Sequence, residues 1–386
     1  MMRIPVKYNL GSLWVRRVGS AMTALGIGLT VSIFITMLAL VHGLNSTFVE
    51  TGQDNQLIVI RAGALNEVNS YFDRDLYQTV RLLPGIAVNE NKEPLASGEI
   101  IVVVNHPRLT GEASNVMVRG MTSAGLSVRP EARLVTGRWF RRGLREIVVS
   151  EPLSKRLQNM RLDDTIHMSR SEWKVVGIFD TGGTAYDSEI WTDYEDVAQD
   201  WDRPIYSSIL LKPETPGAAQ TIVRRIADDR RIHLQAISQK EYYLSQTSSS
   251  VGIKILGTFI ATLMGIGSCF AAMNMMYGAV MSRSREIGTL RALGFSRWSI
   301  LTSFLLESVC LSLVGGTLGC LMALPIHGIS TATANFVTFS EVVFNFRITS
   351  TILLQGLCFA AIVGVLGGGL PARRASQISI LQSMME

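Results

Sequence analysis

Four long apolar runs divide the 386-residue sequence and limit the folds that it can adopt. Each run has at most one charged residue and is long enough to cross a hydrocarbon core, which requires ~20 helical residues. The runs are 20–41, 255–281, 300–324 and 348–370. They predict an α-helical membrane protein with four transmembrane helices and a large domain between the first and second helices.

The positive charge is concentrated outside this large domain, although the formal net charge is only +5. Residues 43–252 hold 24 basic and 27 acidic residues, whereas the chain ends and the segment between runs two and three hold ten basic residues against Glu286 and Glu386. Lys and Arg retain short loops on the cytoplasmic side of a membrane. The pattern therefore predicts that both termini are cytoplasmic, and it gives no reason to expect a nucleic acid partner.

Residues 282–298 form a polar segment between the second and third runs. Apolar residues recur in it at helical spacing, and Gly294 is suited to end a helix. The apolar residues are Ile287, Leu290 and Leu293, and the charged residues are Arg283, Arg285, Glu286, Arg291 and Arg297. We expect a short amphipathic helix at the cytoplasmic membrane surface, which by charge alone could be a simple loop or a docking element.

The stretch 285–294 reads Arg-Glu-Ile-Gly-Thr-Leu-Arg-Ala-Leu-Gly and resembles the signature of FtsX-like and MacB-like permeases of ABC transporters, the type VII or mechanotransmission family. Further matches are Gly-Ile-Gly at 265–267 with Asn274, Glu307 with the glycines at 315–319, and Pro-Ala-Arg-Arg-Ala at 371–375. The resemblance implies a coupling helix that docks on the ATPase subunit. Its implied contact residues are Arg283, Arg285, Glu286, Ile287, Leu290, Arg291, Leu293 and Gly294.

Between residues 50 and 238 the composition is typical of a soluble α+β domain. Residue patterns predict strands at 56–61, 99–104, 115–119, 146–149, 173–179, 207–212 and 233–237, and helices at 73–83, 151–160, 194–201 and 218–228. Both ends of the region follow the order strand, helix, strand, so we expect them to form one lobe with a second lobe inserted. The resemblance implies a MacB-like periplasmic core. Since 239–281 contains no proline, we expect one long stalk and transmembrane helix there.

These observations give the following predicted domains. They are a cytosolic amphipathic helix (1–19), transmembrane helix 1 and stalk (20–49), a two-lobed periplasmic α+β domain (50–238), a stalk and transmembrane helix 2 (239–281), the cytosolic coupling helix (282–298), transmembrane helix 3 (299–324), a short outer loop (325–347), transmembrane helix 4 (348–370) and a cytosolic tail (371–386).

The sequence does not contain the motifs of a nucleotide-hydrolysing enzyme. No lysine follows a glycine, so the phosphate-binding Gly-x-x-x-x-Gly-Lys-[Ser/Thr] loop does not occur. The four cysteines fall inside the apolar runs and the histidines are scattered, so no metal site is predicted. We therefore expect no enzyme activity and no cofactor in this chain. ATP and magnesium are expected on a partner ATPase.

The resemblance implies a permease subunit of the bacterial inner membrane that converts ATP hydrolysis by a separate ATPase into movement of its periplasmic domains. It implies export or efflux with a periplasmic adaptor, contact with membrane lipid, and a second permease protomer, with a homodimer favoured over a heterodimer. The alternatives are a lipoprotein-releasing permease, FtsX-like transmembrane signalling to cell-wall hydrolases, and a membrane-anchored binding module without an ATPase.

Two polar residues inside the predicted membrane helices are expected to form a pair. Asn274 and Glu307 each lie seven residues from the cytoplasmic end of consecutive helices, about 10 Å at 1.5 Å per residue. Because an intramembrane acid is costly without a partner, we hypothesise that Asn274 donates a hydrogen bond to Glu307. Separate partners in the first helix, such as Thr23 or Ser32, are the alternative.

Overall fold

The computed structural model of the protein describes residues 17–229, 231–247, 250–335 and 338–378. The chain divides into two compact units. The helical unit comprises Met1–His42, Gly252–Ile329 and Phe346–Glu386, and the sheet unit comprises Gly43–Val251 and Ser330–Asn345. The first sixteen residues of the predicted cytosolic helix, and residues 379–386 of the predicted tail, lie outside the described residues.

The secondary structure alternates between long helices and a strand-rich region. The helices are α1 (Arg17–Thr51), α2 (Arg74–Arg81), α3 (Glu151–Ser154), α4 (Tyr194–Asp200), α5 (Pro216–Asp228), α6 (Gln239–Gln246), α7 (Ser250–Met281), α8 (Ser284–Ala292), α9 (Arg297–Ala323) and α10 (Ser350–Gln377). The strands are β1 (Leu57–Arg61), β2 (Ala96–Pro107), β3 (Ala113–Met121), β4 (Arg133–Gly137), β5 (Glu146–Ser150), β6 (Thr165–Met168), β7 (Ser171–Asp180), β8 (Glu189–Asp193), β9 (Ser208–Leu211), β10 (Leu234–Ser238), β11 (Ser330–Asn335) and β12 (Ser340–Asn345). Short 3-10 turns occupy Ala185–Ser188 and Leu324–Ile326.

Four helices in the described residues are long and apolar enough to cross a membrane, and they coincide with the four apolar runs of the sequence. They are α1, α7, α9 with the turn that follows it, and α10. Buried residues of all four helices form one apolar cluster: Ile27, Val31, Ile35, Ala272, Ala323, Ile352, Ala360 and Val363. Two hydroxyls add a hydrogen bond between α1 and α7, because Thr30 Oγ1 lies 2.6 Å from Ser268 Oγ.

Glycines allow α1 and α9 to approach at backbone distance. A Cβ atom on Gly315 would lie 2.7 Å from the Ala24 carbonyl oxygen, and one on Gly319 would lie 2.5 Å from the Gly28 carbonyl oxygen. Helices in lipid have little hydrophobic drive to associate, so small residues that permit this close packing contribute much of the contact energy. Glycine also permits close packing between α9 and α10, where a Cβ atom on Gly316 would lie 2.7 Å from Ala360 Cβ. Ser308 Oγ of α9 adds a hydrogen bond to the Gly364 carbonyl of α10 at 2.8 Å.

The sheet unit is built on one ten-stranded mixed sheet. Its order is β10-β1-β9-β2-β3-β8-β5-β7-β4, and β6 pairs with β7. Strands from both ends of the region occupy one half of the sheet. The middle strands continue the same sheet through the parallel pair β3 and β8, so the predicted second lobe shares its sheet with the first.

One predicted helix is shorter than expected because tertiary contacts compete with local preference. The helix predicted at 151–160 ends at Ser154, since Gln158 N donates to the Pro107 carbonyl at 3.0 Å and Asn159 has a left-handed φ of 53°. The region predicted as one long helix at 239–281 contains α6 and α7, and residues 248–249 between them lie outside the described residues. Helix α6 belongs to the sheet unit, where Tyr242 and Tyr243 are buried.

The predicted short outer loop at 325–347 also contains regular structure. Strands β11 and β12 form an antiparallel hairpin with Ser330 opposite Asn345. The hairpin groups with the sheet unit, although the residues before and after it belong to the helical unit.

We expect Gly319→Ala to destabilise the helical unit by about 1–3 kcal/mol, the usual cost of extra carbon in a filled interior. The added methyl would meet backbone oxygen, which cannot rotate away as a side chain can. Gly267→Ala on α7 is the matched control, because no atom lies within 4 Å of the added methyl. Thermal unfolding in detergent measures both. Equal melting temperatures for the two variants would contradict the close packing of α1 and α9.

Candidate functional site

Helix α8 forms within the predicted coupling segment and ends at the predicted glycine. Gly294 has φ 93°, and its N–H donates to the Arg291 carbonyl at 3.1 Å while the Phe295 N–H donates to the Leu290 carbonyl at 3.1 Å. These two bonds are the Schellman pattern, which satisfies the last carbonyls of a helix. Ser296 then caps α9 by accepting from Ser299 N at 3.2 Å. A tight turn therefore joins α8 to α9.

One face of α8 is fixed in the interior of the helical unit. Ile287 is only 1% exposed and lies in an apolar cluster with residues of α7, α9 and α10. The other members are Met276, Val280, Ile300, Phe304, Ala372 and Ala375. The resemblance places Ile287 among the partner contacts, but its burial contradicts this, because Ile287 anchors α8 to the other helices.

The other face of α8 is open. Arg285, Glu286 and Gly294 are exposed, and Leu293 is 68% exposed. Leu290, Arg291 and Arg283 are half-buried. Trp298, which the sequence analysis did not select, is 71% exposed in the first turn of α9. A tryptophan at the end of an apolar run was the available signal, but such residues usually serve as membrane-interface anchors.

The buried acid of α9 has a different partner from the one predicted. Arg283 Nη1 lies 3.4 Å from Glu307 Oε2, and Arg283 Nε lies 3.3 Å from Glu286 Oε2. Glu307 is buried, whereas the Asn274 side chain is exposed. The predicted pair of Asn274 and Glu307 is therefore wrong in its donor, because equal depth does not place two residues on facing sides of their helices. Arg283 instead links α8 to α9.

The sheet unit contains a buried ion network that sequence reasoning missed. Arg119 on β3 contacts three carboxylates: its Nη1 lies 2.6 Å from Glu99 Oε2 and 2.8 Å from Glu67 Oε1, and its Nη2 lies 2.7 Å from Glu189 Oε1. Arg129 Nη1 lies 2.7 Å from Glu99 Oε1. All five residues are buried. The network connects β2, β3 and β8 with the loop after β1. A charged residue inside an otherwise β-branched strand, such as Arg119, was the available signal.

The network holds the Glu99 carboxylate ionised although its side chain is buried. Burial opposes ionisation of Glu99, but the charges and hydrogen bonds of Arg129 and Arg119 outweigh it and lower the pKa of Glu99 to about 2. Hydrogen bonds to neutral groups complete the shell, since Ser208 Oγ donates to Glu67 at 2.6 Å and Trp191 Nε1 donates to Glu189 at 2.8 Å. Deleting one partner of a buried network leaves an unpaired charge, which typically costs about 3–5 kcal/mol.

The C-terminal end of α1 and the start of α6 meet beside this network. A Cβ atom on Gly52 would lie 2.6 Å from Lys240 Cα, so the two segments cross at backbone distance. The buried Gln239 accepts from Gln53 N at 2.8 Å and donates through Nε2 to Tyr186 OH at 2.9 Å. The Arg129 guanidinium lies 4.7 Å from the Tyr186 ring centroid. We call Gly52, Gln53, Gln239 and Lys240 the stalk junction.

The described contacts of these sites are apolar packing, hydrogen bonds and ion pairs. Within the four described ranges, no group of three His, Cys, Asp or Glu residues is arranged to hold a metal ion. Guanidinium groups form ion pairs with the network carboxylates and hold them in fixed positions. The arrangement can dock a partner at α8 and can hold a sheet rigid.

Two protein families match the chain: the MacB-like periplasmic core domain over residues 20–229 and the FtsX-like permease C-terminal region over residues 258–380. The uncharacterized ABC transporter permease YknZ of Bacillus subtilis is 22% identical, with 98% of both chains covered. The macrolide export ATP-binding/permease protein MacB of Chlorobium luteolum is 24% identical over 98% of this chain and 59% of its own length. The MacB protein of Pasteurella multocida is also 24% identical, over 89% and 56%. The chain thus spans little more than half of these MacB relatives.

Two solved structures resemble about half of the chain. The extracellular domain of YknZ from Gram-positive bacteria gives a TM-score of 0.37 at 14% identity, covering 47% of this chain and 100% of the other. The periplasmic region of MacB from Actinobacillus actinomycetemcomitans gives a TM-score of 0.39 at 11% identity, covering 50% and 92%.

We expect the sheet unit to lose stability in acid through Glu99. Its folded pKa of about 2 lies below its ordinary value of 4.5, so its stabilising contribution is complete above pH 4.5 and is lost as the pH falls toward 2. The loss is on the order of 3 kcal/mol. Urea unfolding followed by tryptophan fluorescence measures it. Glu99→Gln should lower stability at neutral pH and flatten the acid dependence, whereas Glu112→Gln, which removes an exposed carboxylate, should leave that dependence unchanged. An equally steep loss in Glu99→Gln would contradict the assignment.

Proposed function

Because the chain belongs to the MacB-like periplasmic core domain family and is an ABC transporter permease of the MacB/FtsX type, we propose that it passes the movement of a separate ATPase subunit to its own sheet unit. The observation that carries this proposal is the two-sided structure of α8. One side is open for a partner, and the other is fixed to the other helices of the helical unit.

The open side of α8 has the composition of a docking surface. Leu293 and Trp298 supply exposed apolar area, and Arg285 and Glu286 supply charges of both signs beside it. An apolar anchor within a charged rim is the usual arrangement of a protein interface that binds specifically. We propose that these four residues, with Leu290 and Arg291 at the edge, contact the ATPase.

The fixed side of α8 supports transmission of movement. Ile287 lies among residues of α7, α9 and α10, and Arg283 bridges α8 to the Glu307 carboxylate of α9. Close-packed interiors transmit displacement because they have few voids in which to absorb it. A push on α8 therefore displaces α9 and its neighbours instead of bending α8 alone.

The remaining assignments follow from this role. We propose that the termini and α8 are cytoplasmic in a bacterial inner membrane, as the charge distribution favours, and that the protein is multi-pass. ATP and magnesium would bind the partner ATPase. We propose that the protein is an exporter that contains a second permease protomer and a periplasmic adaptor, with a homodimer favoured over a heterodimer. This agrees with the relatives that are named for macrolide export.

We expect Leu293→Ala and Trp298→Ala each to weaken ATPase binding by about 1–3 kcal/mol, which is the range for truncating an apolar interface anchor. This corresponds to about 5- to 150-fold in affinity. Co-purification from native membranes, with mass spectrometry of the partners, measures it. Leu306→Ala is the control, because it removes an exposed leucine from the middle of α9.

The identity of the co-purifying proteins separates the alternatives. An ABC ATPase with a periplasmic adaptor supports the exporter, and cell-wall hydrolases in place of the adaptor would support signalling. Full ATPase recovery with both substitutions, or no ATPase with the unmodified chain, would contradict the proposed role of α8.

A further inference from the structure

The hairpin of β11 and β12 lies between α9 and α10 in the chain but folds with the sheet unit. Its second strand is buried, with Val343 and Phe344 only 4% and 3% exposed. Val343 belongs to the main apolar core of the sheet unit, and its N–H donates to Ser188 Oγ at 2.8 Å. This hairpin is therefore part of the sheet unit's packing and not a free loop.

One carboxylate of the hairpin makes three polar contacts with other parts of the sheet unit. Glu341 on β12 accepts from Ser114 Oγ on β3, and its Oε2 lies 2.9 Å from Arg108 Nη2. Its Oε1 lies 3.1 Å from Arg156 Nη2. Arg108 follows β2 and Arg156 follows α3, so three separate parts of the sheet unit converge on one side chain that is 9% exposed.

Two further contacts hold the hairpin on other sides. Asn115 Nδ2 donates to the Phe339 carbonyl at 3.0 Å at the hairpin tip. At the hairpin base, Gly43 of α1 lies against the Asn345 carbonyl, where even one added carbon would overlap that oxygen. The hairpin is thus attached at its tip, its middle and its base.

We propose that this hairpin is a third mechanical connection into the sheet unit, besides α1 and α6, and that Glu341 is the positioning residue that fixes it there. The inference rests on the proposed function of α8. Helix α9 begins at Arg297, directly after the α8 turn, and leads through the 3-10 turn Leu324–Ile326 to β11. Displacement of α9 therefore reaches the hairpin along the chain, and the Glu341 contacts deliver it to β2, β3 and α3.

The charge balance explains why a carboxylate is required at residue 341. Arg108 and Arg156 both point at it, and Arg156 is sufficiently buried that its pKa is lowered from the ordinary value. Removing the negative charge leaves two guanidinium groups facing each other in a half-buried place, where like charges repel strongly. The hairpin then loses its polar attachment while its apolar contacts remain.

The test uses the full-length protein with its co-purified ATPase in lipid nanodiscs. A membrane-impermeant environment-sensitive dye on Leu144→Cys, an exposed site of the sheet unit, reports the response to ATP. Glu341→Gln should reduce that response at least about fivefold, the lower end of typical coupling between sites, with ATPase recovery unchanged. Glu112→Gln is the matched control, because it removes another carboxylate from Arg108 without touching the hairpin.

Two further variants separate positioning from general damage. A water-soluble cross-linker between Asn115→Cys and Phe339→Cys measures hairpin attachment without ATP; we expect efficient linking, reduced by Glu341→Gln. Glu341→Asp keeps the negative charge that Arg108 and Arg156 face, so it should retain more linking and more of the dye response than Glu341→Gln.

Each outcome decides the proposal. A native dye response in Glu341→Gln, whether or not the cross-link is lost, or a Glu341→Asp variant that keeps linking without the response, would overturn the role of the hairpin and leave the proposed function intact. No ATP response from the unmodified chain with bound ATPase would instead overturn the proposed function, and the role of Glu341 with it.

Discussion

The buried contact of Arg119 with Glu67, Glu99 and Glu189 is the constraint on which the sheet unit depends. Burying charge is costly unless every group is paired, and a network of this kind adds less net stability than an apolar core of equal volume. The network contributes mainly to geometry. A planar guanidinium can pair with carboxylates in only a few arrangements, so Arg119 fixes the lateral order of β2, β3 and β8. Strands β3 and β8 are also where the two halves of the sheet join. The network therefore makes one rigid body out of two halves.

Three chain segments connect to this body, and each does so through specific contacts. Helices α1 and α6 meet at the stalk junction, where Gly52 permits a backbone crossing and Gln239 reaches Tyr186 beside Arg129. The hairpin of β11 and β12 attaches through Glu341. In the helical unit, α8 is fixed by Ile287 and Arg283. A rigid body can be driven only through firm attachments, and these contacts supply them.

The sequence predicted the features that depend on local pattern. Four apolar helices follow from run length, and the end of α8 follows from Gly294, whose left-handed φ of 93° suits glycine. It did not predict β8, because Glu189 and Asp193 make that strand look exposed although all five of its residues are buried. The hairpin was missed because β11 is short and polar. The partner of Glu307 was missed because the depth of a residue in the membrane does not specify the direction in which its side chain points.

The central claim is that the sheet unit moves as one body, driven at its attachments. Hydrogen–deuterium exchange of the intact permease with its ATPase, compared with and without ATP, tests it most directly. We expect the amides of β1, β2, β3 and β8 to exchange equally slowly in both conditions, while those of 51–56, 239–247 and the hairpin change with ATP. ATP-dependent exchange across β3 and β8, with an unchanged stalk junction, would show that the sheet itself rearranges and would contradict the account.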